Sequence, residues 1–224
     1  MATIQKQRQI TLRGSAQIVT EFFDFSINSI LFQRAIYPPE DFKVVKRYGL
    51  NLLVNADFAV QAYLKQIMTQ IEKWILAKTI QKLVLVITSL ETREVLERWQ
   101  FNIQLEAGSS SAPATNKENA AKNTSAASQA QQQQQPKTEK EIHAEIAAIM
   151  RQITASVSFL PMMTEPCTFN VLTYTDKDAE VPSTWIDSDA KMITKNAEQV
   201  KLRSFSTSVH KVDALVAYRL GEEL

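Results

Sequence analysis

One thiol, Cys167, and two imidazoles, His143 and His210, are the side chains best suited to nucleophilic, acid–base or metal chemistry in this sequence. A thiol becomes a nucleophile when its surroundings lower its pKa, and a metal-binding histidine needs further ligands at short spacing. Cys167 lies inside an alternating strand pattern, where a buried, inert thiol is expected. The histidines are far apart, and neither has a cysteine or carboxylate at ligand spacing. Gly14, Gly49, Gly108 and Gly221 stand alone, so no glycine loop can cradle a phosphate. Acidic residues such as Glu94 and Glu97 are expected on the solvated surface. The pattern predicts no catalytic residues, no metal and no cofactor, hence a protein that is not an enzyme. An enzyme would need a pocket of polar groups converging from distant positions, which the sequence does not advertise.

The chemistry left is that of the backbone. A sheet edge presents unpaired N–H and C=O groups and can accept an extended peptide as an added strand. The stretch from Val200 to Leu220, VKLRSFSTSVHKVDALVAYRL, holds two strand-like runs joined at His210-Lys211. Phe205, Thr207 and Val209 share one face of the first. Val212, Ala214, Val216, Tyr218 and Leu220 share a face of the second, while Leu215 and Ala217 make its other face partly apolar. With apolar groups on both faces the register is weakly specified, because a one-residue slip still buries something. The stretch is either an ordinary C-terminal hairpin closing a sheet or a segment able to pair in more than one way.

The elements that must position this stretch can be read in order. Thr11 to Gly14 is a short edge strand or the lead-in to a helix for which Ser15 is the candidate N-cap. Ile18, Val19, Phe22, Phe23, Ile27, Ile30 and Leu31 recur at helical spacing, and Pro38-Pro39 stops the helix. Leu50 to Val54 suits a short strand. A second helix begins near Asn55 or Asp57, with a stripe of Tyr63, Leu64, Ile67, Met68, Ile71, Trp74 and Ile75; Trp74 is core or lines a site. Leu83 to Ile87 is continuously apolar, as in a central strand covered on both faces. After a turn at Glu91 to Arg93, the next strand sets Val95, Trp99, Phe101, Ile103 and Leu105 against a wet face of Arg98, Gln100, Asn102 and Gln104. Thr138 and Glu141 form a capping box for a third helix with a stripe of Ile142, Ile146, Ile149, Met150, Ile153 and Val157, leaving Arg151 and Gln152 outward. Cys167 to Tyr174 is a strand with Phe169 and Val171 facing in and Thr168 and Asn170 out. Ala179 to Gln199 is a long aperiodic loop. The fold class is α+β, with three helices on one face of a mostly antiparallel sheet. The strands at 95–105 and 167–174 flank the central one, leaving two edges that need cover.

Length and charge bound the rest. The chain has 224 residues and a formal net charge of +1. That suits one domain with an insertion and gives no electrostatic case for nucleic acid or an anionic membrane. A single cysteine excludes an intrachain disulfide framework and suits a reducing compartment. The polar start and the absence of a long apolar run predict no signal peptide and no membrane span. From about Gly108 to Pro136 the composition collapses to Ser, Ala, Asn and Gln, ending in QQQQQP, as expected of a disordered insertion spanning 106–137.

Several runs in order, ITLRGSAQIVTEFFDFSINSILFQRAIYP, LERWQF, IMRQITASVSFLP, YTDKD and LRSFSTSVHKV, resemble the HORMA-domain proteins of the spindle-assembly checkpoint. The similarity spans the chain apart from 106–137, and favours the checkpoint branch over the translesion-synthesis, meiotic-axis and autophagy branches. It implies one HORMA domain over 1–224 with a mobile safety belt at 179–224. It also implies a switch in which the C-terminal hairpin pairs with 168–174 in an open state. In a closed state the hairpin pairs with 95–105, displaces the segment around Leu12 and frees the 168–174 edge for a peptide. Implied peptide-binding residues are Trp74, Thr168, Phe169, Val171, Thr173, Trp185, Val216 and Tyr218, with direct contact and core packing both open for Trp74 and Phe169. Arg151, Gln152, Phe159 and Arg203 would form a dimerisation surface, and Leu12 and Val212 would bias the switch. Implied partners are the checkpoint receptor mitotic arrest deficient protein one, the WD-repeat activator of the anaphase-promoting complex and a BUB-related checkpoint subunit. Open and closed copies would also self-dimerise, and an AAA+ remodelling ATPase with its HORMA adaptor would act on them. Implied locations are the nucleus, the mitotic kinetochore and the cytoplasm. The competing reading is a HORMA adaptor that clamps a DNA-repair polymerase subunit.

Overall fold

The computed structural model describes residues 10–106 and 137–221, so nearly all of the expected insertion lies outside the described residues. The first helix, α1 (Leu12–Gln33), begins one turn earlier than Ser15 would place it. Thr11 is the N-cap, and its side chain accepts a hydrogen bond from the Gly14 N–H at 3.1 Å. Ser15 is a buried residue inside the helix, bonded elsewhere. The helix also ends before the prolines: Arg34 caps it and Ala35 takes a left-handed φ of 52°. The prolines introduce a short 3-10 turn at Pro39–Asp41 instead.

A two-stranded hairpin follows, β1 (Phe42–Arg47) and β2 (Leu50–Asn55), antiparallel and joined by Tyr48 and Gly49 at φ 52° and 71°. A two-residue hairpin turn of this kind requires positive φ at both positions, which Gly49 meets without strain. Only the second strand is legible in the sequence, because Lys43, Val44 and Lys46 leave the first largely exposed. Arg47 and Tyr48 fasten the hairpin tip to Glu21 of α1 at 2.7 and 2.6 Å.

Asp57 caps α2 (Phe58–Leu76), whose stripe is buried except for Tyr63, turned instead toward Phe169. The strands β3 (Ile80–Ser89), β4 (Val95–Leu105), β5 (Cys167–Thr175), β6 (Ala197–Ser206) and β7 (His210–Arg219) form one sheet in the order β5-β3-β4-β7-β6. Every neighbouring pair is antiparallel. As expected, β3 lies between β4 and β5. Its Leu83, Leu85 and Ile87 enter the core with the helices, while Val84 and Val86 are fully buried on the opposite face. The third helix, α3 (Glu139–Ala155), carries both arms of the Thr138–Glu141 capping box. Val157 leaves the stripe and is 53% exposed, because the helix gives way at Ser156 to a 3-10 turn that changes the side-chain period.

Phe22, Phe23, Phe101 and Phe205 meet at the centre of the core, with Phe22 and Phe205 rings edge to face at 4.8 Å. Two polar residues expected outside are buried. Glu97 points inward and pairs with Arg34 at 2.6 Å, while accepting from the Trp99 indole at 3.0 Å. Burial pushes its carboxyl pKa up; Arg34 and Trp99 pull it down. Arg34 donates further to the Pro161 carbonyl. Arg98, expected on a wet face, is also buried. The turn between β6 and β7 falls at Ser208-Val209, with Ser208 at φ 68°. His210 is therefore the first residue of β7 rather than part of the joint, and is buried.

Candidate functional site

β5 pairs with β3 from Cys167 opposite Ser89 to Thr175 opposite Ile80. Its other edge has no strand partner among the described residues. The hairpin of β6 and β7 covers the far side of the sheet, with β7 on β4 from His210 opposite Leu105 to Tyr218 opposite Glu97. Of the two pairings that the resemblance implies, this is the one that leaves the 168–174 edge vacant.

The segment between β5 and β6 passes around that vacant edge and is fastened on both faces of the sheet. On the helix side, the Trp74 indole N–H donates to the Glu180 carbonyl at 2.9 Å, and its ring packs edge to face on Trp185 at 4.9 Å. Trp185 is held by its own turn, its N–H bonding the Pro182 carbonyl. On the opposite face, Arg98 Nε donates to the Ala190 carbonyl at 3.2 Å. Between these anchors Ile186 is 88% exposed. The segment then meets the end of β7, where the Leu220 N–H donates to the Asn196 carbonyl. The result is a strap tied at both ends, with the Ile186 side chain between them turned to solvent.

Phe169 and Val171 of β5 face the helices and are buried, with half-buried Thr173 in the same alternation. Tyr37 and Tyr63 pack edge to face on Phe169 at 6.2 and 5.9 Å. Burial raises the pKa of both phenols, with nearby Asp57 and Asp41 adding to it at Tyr37. Thr168 points to the other face and is exposed. The structure thus brings Trp74, Thr168, Phe169, Val171, Thr173 and Trp185 to one edge. Val216 and Tyr218 do not join them. They lie on β7, with β3 and β4 intervening, where Val216 is core and the Tyr218 hydroxyl donates to Glu198 at 2.9 Å. Cys167 heads β5 half-buried, its Sγ against Met163 Sδ at 3.6 Å. Burial, then the charges of Glu165 and Glu97, push its thiol pKa up, the reverse of what a nucleophile needs.

The expected dimerisation residues share one side of the molecule. A bulge between Lys201 and Ser204 takes Arg203 out of the strand ladder, and its N–H donates to Gln152 Oε1 at 2.7 Å. Arg151 and Arg203 are exposed beside this bond. Phe159 is exposed and its ring lies 6.3 Å from Tyr218. Of the expected switch residues, Val212 is fully buried between Ile103 and Phe205, and Leu12 is half-buried at the start of α1.

A node that sequence reasoning missed ties α1 to the hairpin of β6 and β7. Ser15 Oγ of α1 hydrogen-bonds Thr207 Oγ1 at 2.5 Å and His210 Nδ1 at 2.7 Å, all three side chains buried. His210 Nε2 has no hydrogen-bond partner among the described residues, and burial, with the Lys78 charge, lowers the imidazole pKa to about 4. No local pattern signals a contact between residues this far apart in sequence.

Comparison with known proteins places this geometry. The HORMA domain family matches residues 15–210. The mitotic spindle checkpoint component mad2 of Schizosaccharomyces pombe is 49% identical over 99% of this chain and 100% of its own length. The mitotic spindle assembly checkpoint protein MAD2A of Homo sapiens is 46% identical over 97% of this chain and 96% of its own. A chain in the crystal structure of a mitotic checkpoint complex superposes with a TM-score of 0.77 at 49% identity, covering 92% of this chain and 99% of that one. HTP-1 of C. elegans, solved bound to a HIM-3 closure motif, superposes at 0.71 with 16% identity and shares the fold alone. With a family match over most of its length and near-full-length relatives almost half identical, the chain belongs to the HORMA-domain family, among its Mad2 mitotic spindle checkpoint proteins.

Proposed function

We propose that this chain serves the spindle checkpoint as a two-state peptide clamp, and that the fold described is its closed state. The carrying observation is the vacant β5 edge beneath a strap tied at Trp74 and Arg98. An extended peptide added to β5 gains main-chain hydrogen bonds with loose sequence demands, and Phe169, Val171 and Trp185 offer apolar contact on the helix side. The ligands are a segment of the checkpoint receptor and a segment of the WD-repeat activator of the anaphase-promoting complex. Holding the activator restrains anaphase onset, in the nucleus and at the mitotic kinetochore. The clamp performs no bond chemistry. The open state carries the hairpin of β6 and β7 on β5. Exchanging one ladder for another keeps the two states within a few kcal/mol, since each ladder hydrogen bond contributes only about 0.5–1.5 kcal/mol net. The relatives named above are checkpoint proteins, which supports this role over that of a DNA-repair adaptor.

The test is ion-exchange separation of the purified chain with and without a receptor peptide. Two slowly interconverting folded forms are expected, converging on one when peptide is added; a single form indifferent to peptide refutes the clamp. Arg151→Glu is expected to abolish self-dimers while sparing peptide capture. Loss of both together would mean that the dimer surface lies elsewhere.

A further inference from the structure

Arg98 carries a charge that its surroundings do not compensate. It is 6% exposed and has no carboxylate partner among the described residues. Its acceptors are all neutral. Nε reaches the Ala190 carbonyl at 3.2 Å, Nη1 the Gln100 amide oxygen at 2.8 Å, and Nη2 the Tyr174 hydroxyl at 3.1 Å. Gln100 is itself oriented by donating to Asn102 Oδ1 at 2.8 Å. Removing a guanidinium from water without a counter-charge is costly, so each of these hydrogen bonds is expensive to lose. The three acceptors come from three different pieces of chain: β4 itself, the end of β5, and the returning half of the strap.

The planar guanidinium can donate in three directions at once, which an ammonium on a flexible stem cannot do with the same geometry. Arg98 is thus the only side chain described that hydrogen-bonds both β5 and the strap on the face away from the helices. Trp74 holds the strap on the other face, near its beginning. If the Arg98 contact is lost, the strap stays tied at Trp74 and at Asn196 but loses its hold at Ala190 between them, which frees that stretch to lift and opens the space beside β5.

We propose that Arg98 is the positioning residue that keeps the strap shut, so that it sets how fast a captured peptide enters and leaves. This rests on the clamp function proposed above. The mechanism is kinetic: lifting the strap breaks the Arg98–Ala190 bond and leaves a desolvated charge short of an acceptor at the top of the barrier.

The experiment follows release of a fluorescent receptor peptide from the full chain under chase with unlabelled peptide, comparing wild type with Arg98→Lys and Tyr174→Phe. Because a hydrogen bond from a charged donor is among the stronger ones to lose, Arg98→Lys is expected to speed release roughly 10- to 100-fold. Capture should quicken too, because the strap must also lift to admit the peptide, and the thermal midpoint should move little. Tyr174→Phe removes one acceptor and should speed release several-fold. Unaltered release in a folded Arg98→Lys overturns the proposal, as does a midpoint that falls in step with release without faster capture. If Arg98→Lys does not fold, unaltered release in Tyr174→Phe overturns it. Failure of the wild-type chain to retain peptide at all would refute the clamp itself. Backbone hydrogen exchange over 186–194 in the free chain then still decides the anchor: faster exchange in the variants supports it, and unchanged exchange overturns it.

Discussion

His210 makes the attachment of the C-terminal hairpin sensitive to pH in a direction and range that can be stated. Its Nδ1 bonds Ser15, its Nε2 faces buried space, and its pKa falls from 6.5 to about 4. The folded state therefore binds the proton less well than the unfolded chain. Its contribution to stability is complete above the unfolded pKa of 6.5 and is lost as pH falls through the window from 6.5 to about 4. At about 1.4 kcal/mol per pKa unit, this one group removes roughly 3 kcal/mol across that window. The assay is denaturant unfolding at several pH values for wild type and His210→Asn. Carboxylates titrate in both proteins, so the difference between the two curves isolates the imidazole. Wild type should lose about 2–3 kcal/mol more than the variant between pH 7 and 4.5. The chain has only two histidines, so an NMR titration can follow His210 directly. An imidazole that titrates near or above 6.5 in the folded protein, or a stability difference independent of pH, would refute the reasoning.

Two further substitutions probe the frame around the site. Arg34→Met leaves Glu97 buried without its cation and should cost about 3–5 kcal/mol in denaturant unfolding; Arg34→Met with Glu97→Leu should recover much of that loss. Thr138→Ala removes the side-chain arm of the capping box, leaving the Glu141 carboxylate on the residue 138 N–H, and should lower unfolding stability by about 1 kcal/mol, with the α3 amides exchanging faster at their start.

The helices and the central sheet were legible because their apolar residues repeat with clear periods. Apart from Tyr63 and Val157, the stripes of α1, α2 and α3 lie in or against the core, as do the inward-facing Phe169 and Val171. What escaped sequence reasoning depends on partners distant in the chain. Glu97 and Arg98 are polar types whose sequence neighbours predict solvent. Arg34 and the returning strap bury them, and neither partner has a local signature. Ser15 looks like a helix cap because its type and position both fit; Thr11 takes that role, and the hydroxyl is engaged by the hairpin instead. The resemblance put Trp74 and Trp185 in or beside the peptide-binding region, but nothing in the sequence marked them as the two halves of one anchor. Val216 and Tyr218 were assigned to that edge by resemblance, whereas in this pairing β7 lies across the sheet from it. The partly apolar second face of β7 left its partner strand open, and no residue pattern within Val200 to Leu220 could choose β4 over β5.

The strap does more than cover an edge. From β5 the covalent chain runs through the strap into β6, and the ladders of β6, β7, β4 and β3 lead back to β5, so chain and hydrogen bonds form an unbroken ring. A peptide lying on β5 beneath the strap is therefore threaded, like a cord through a loop. A short peptide with a free end can slide out lengthwise once the strap lifts at Ala190. An internal segment flanked by folded domains is trapped: it can leave only if the ring is cut, and the available cut is a ladder. For such a ligand, residence time is set by the mechanical integrity of the sheet, independently of how well the peptide fits.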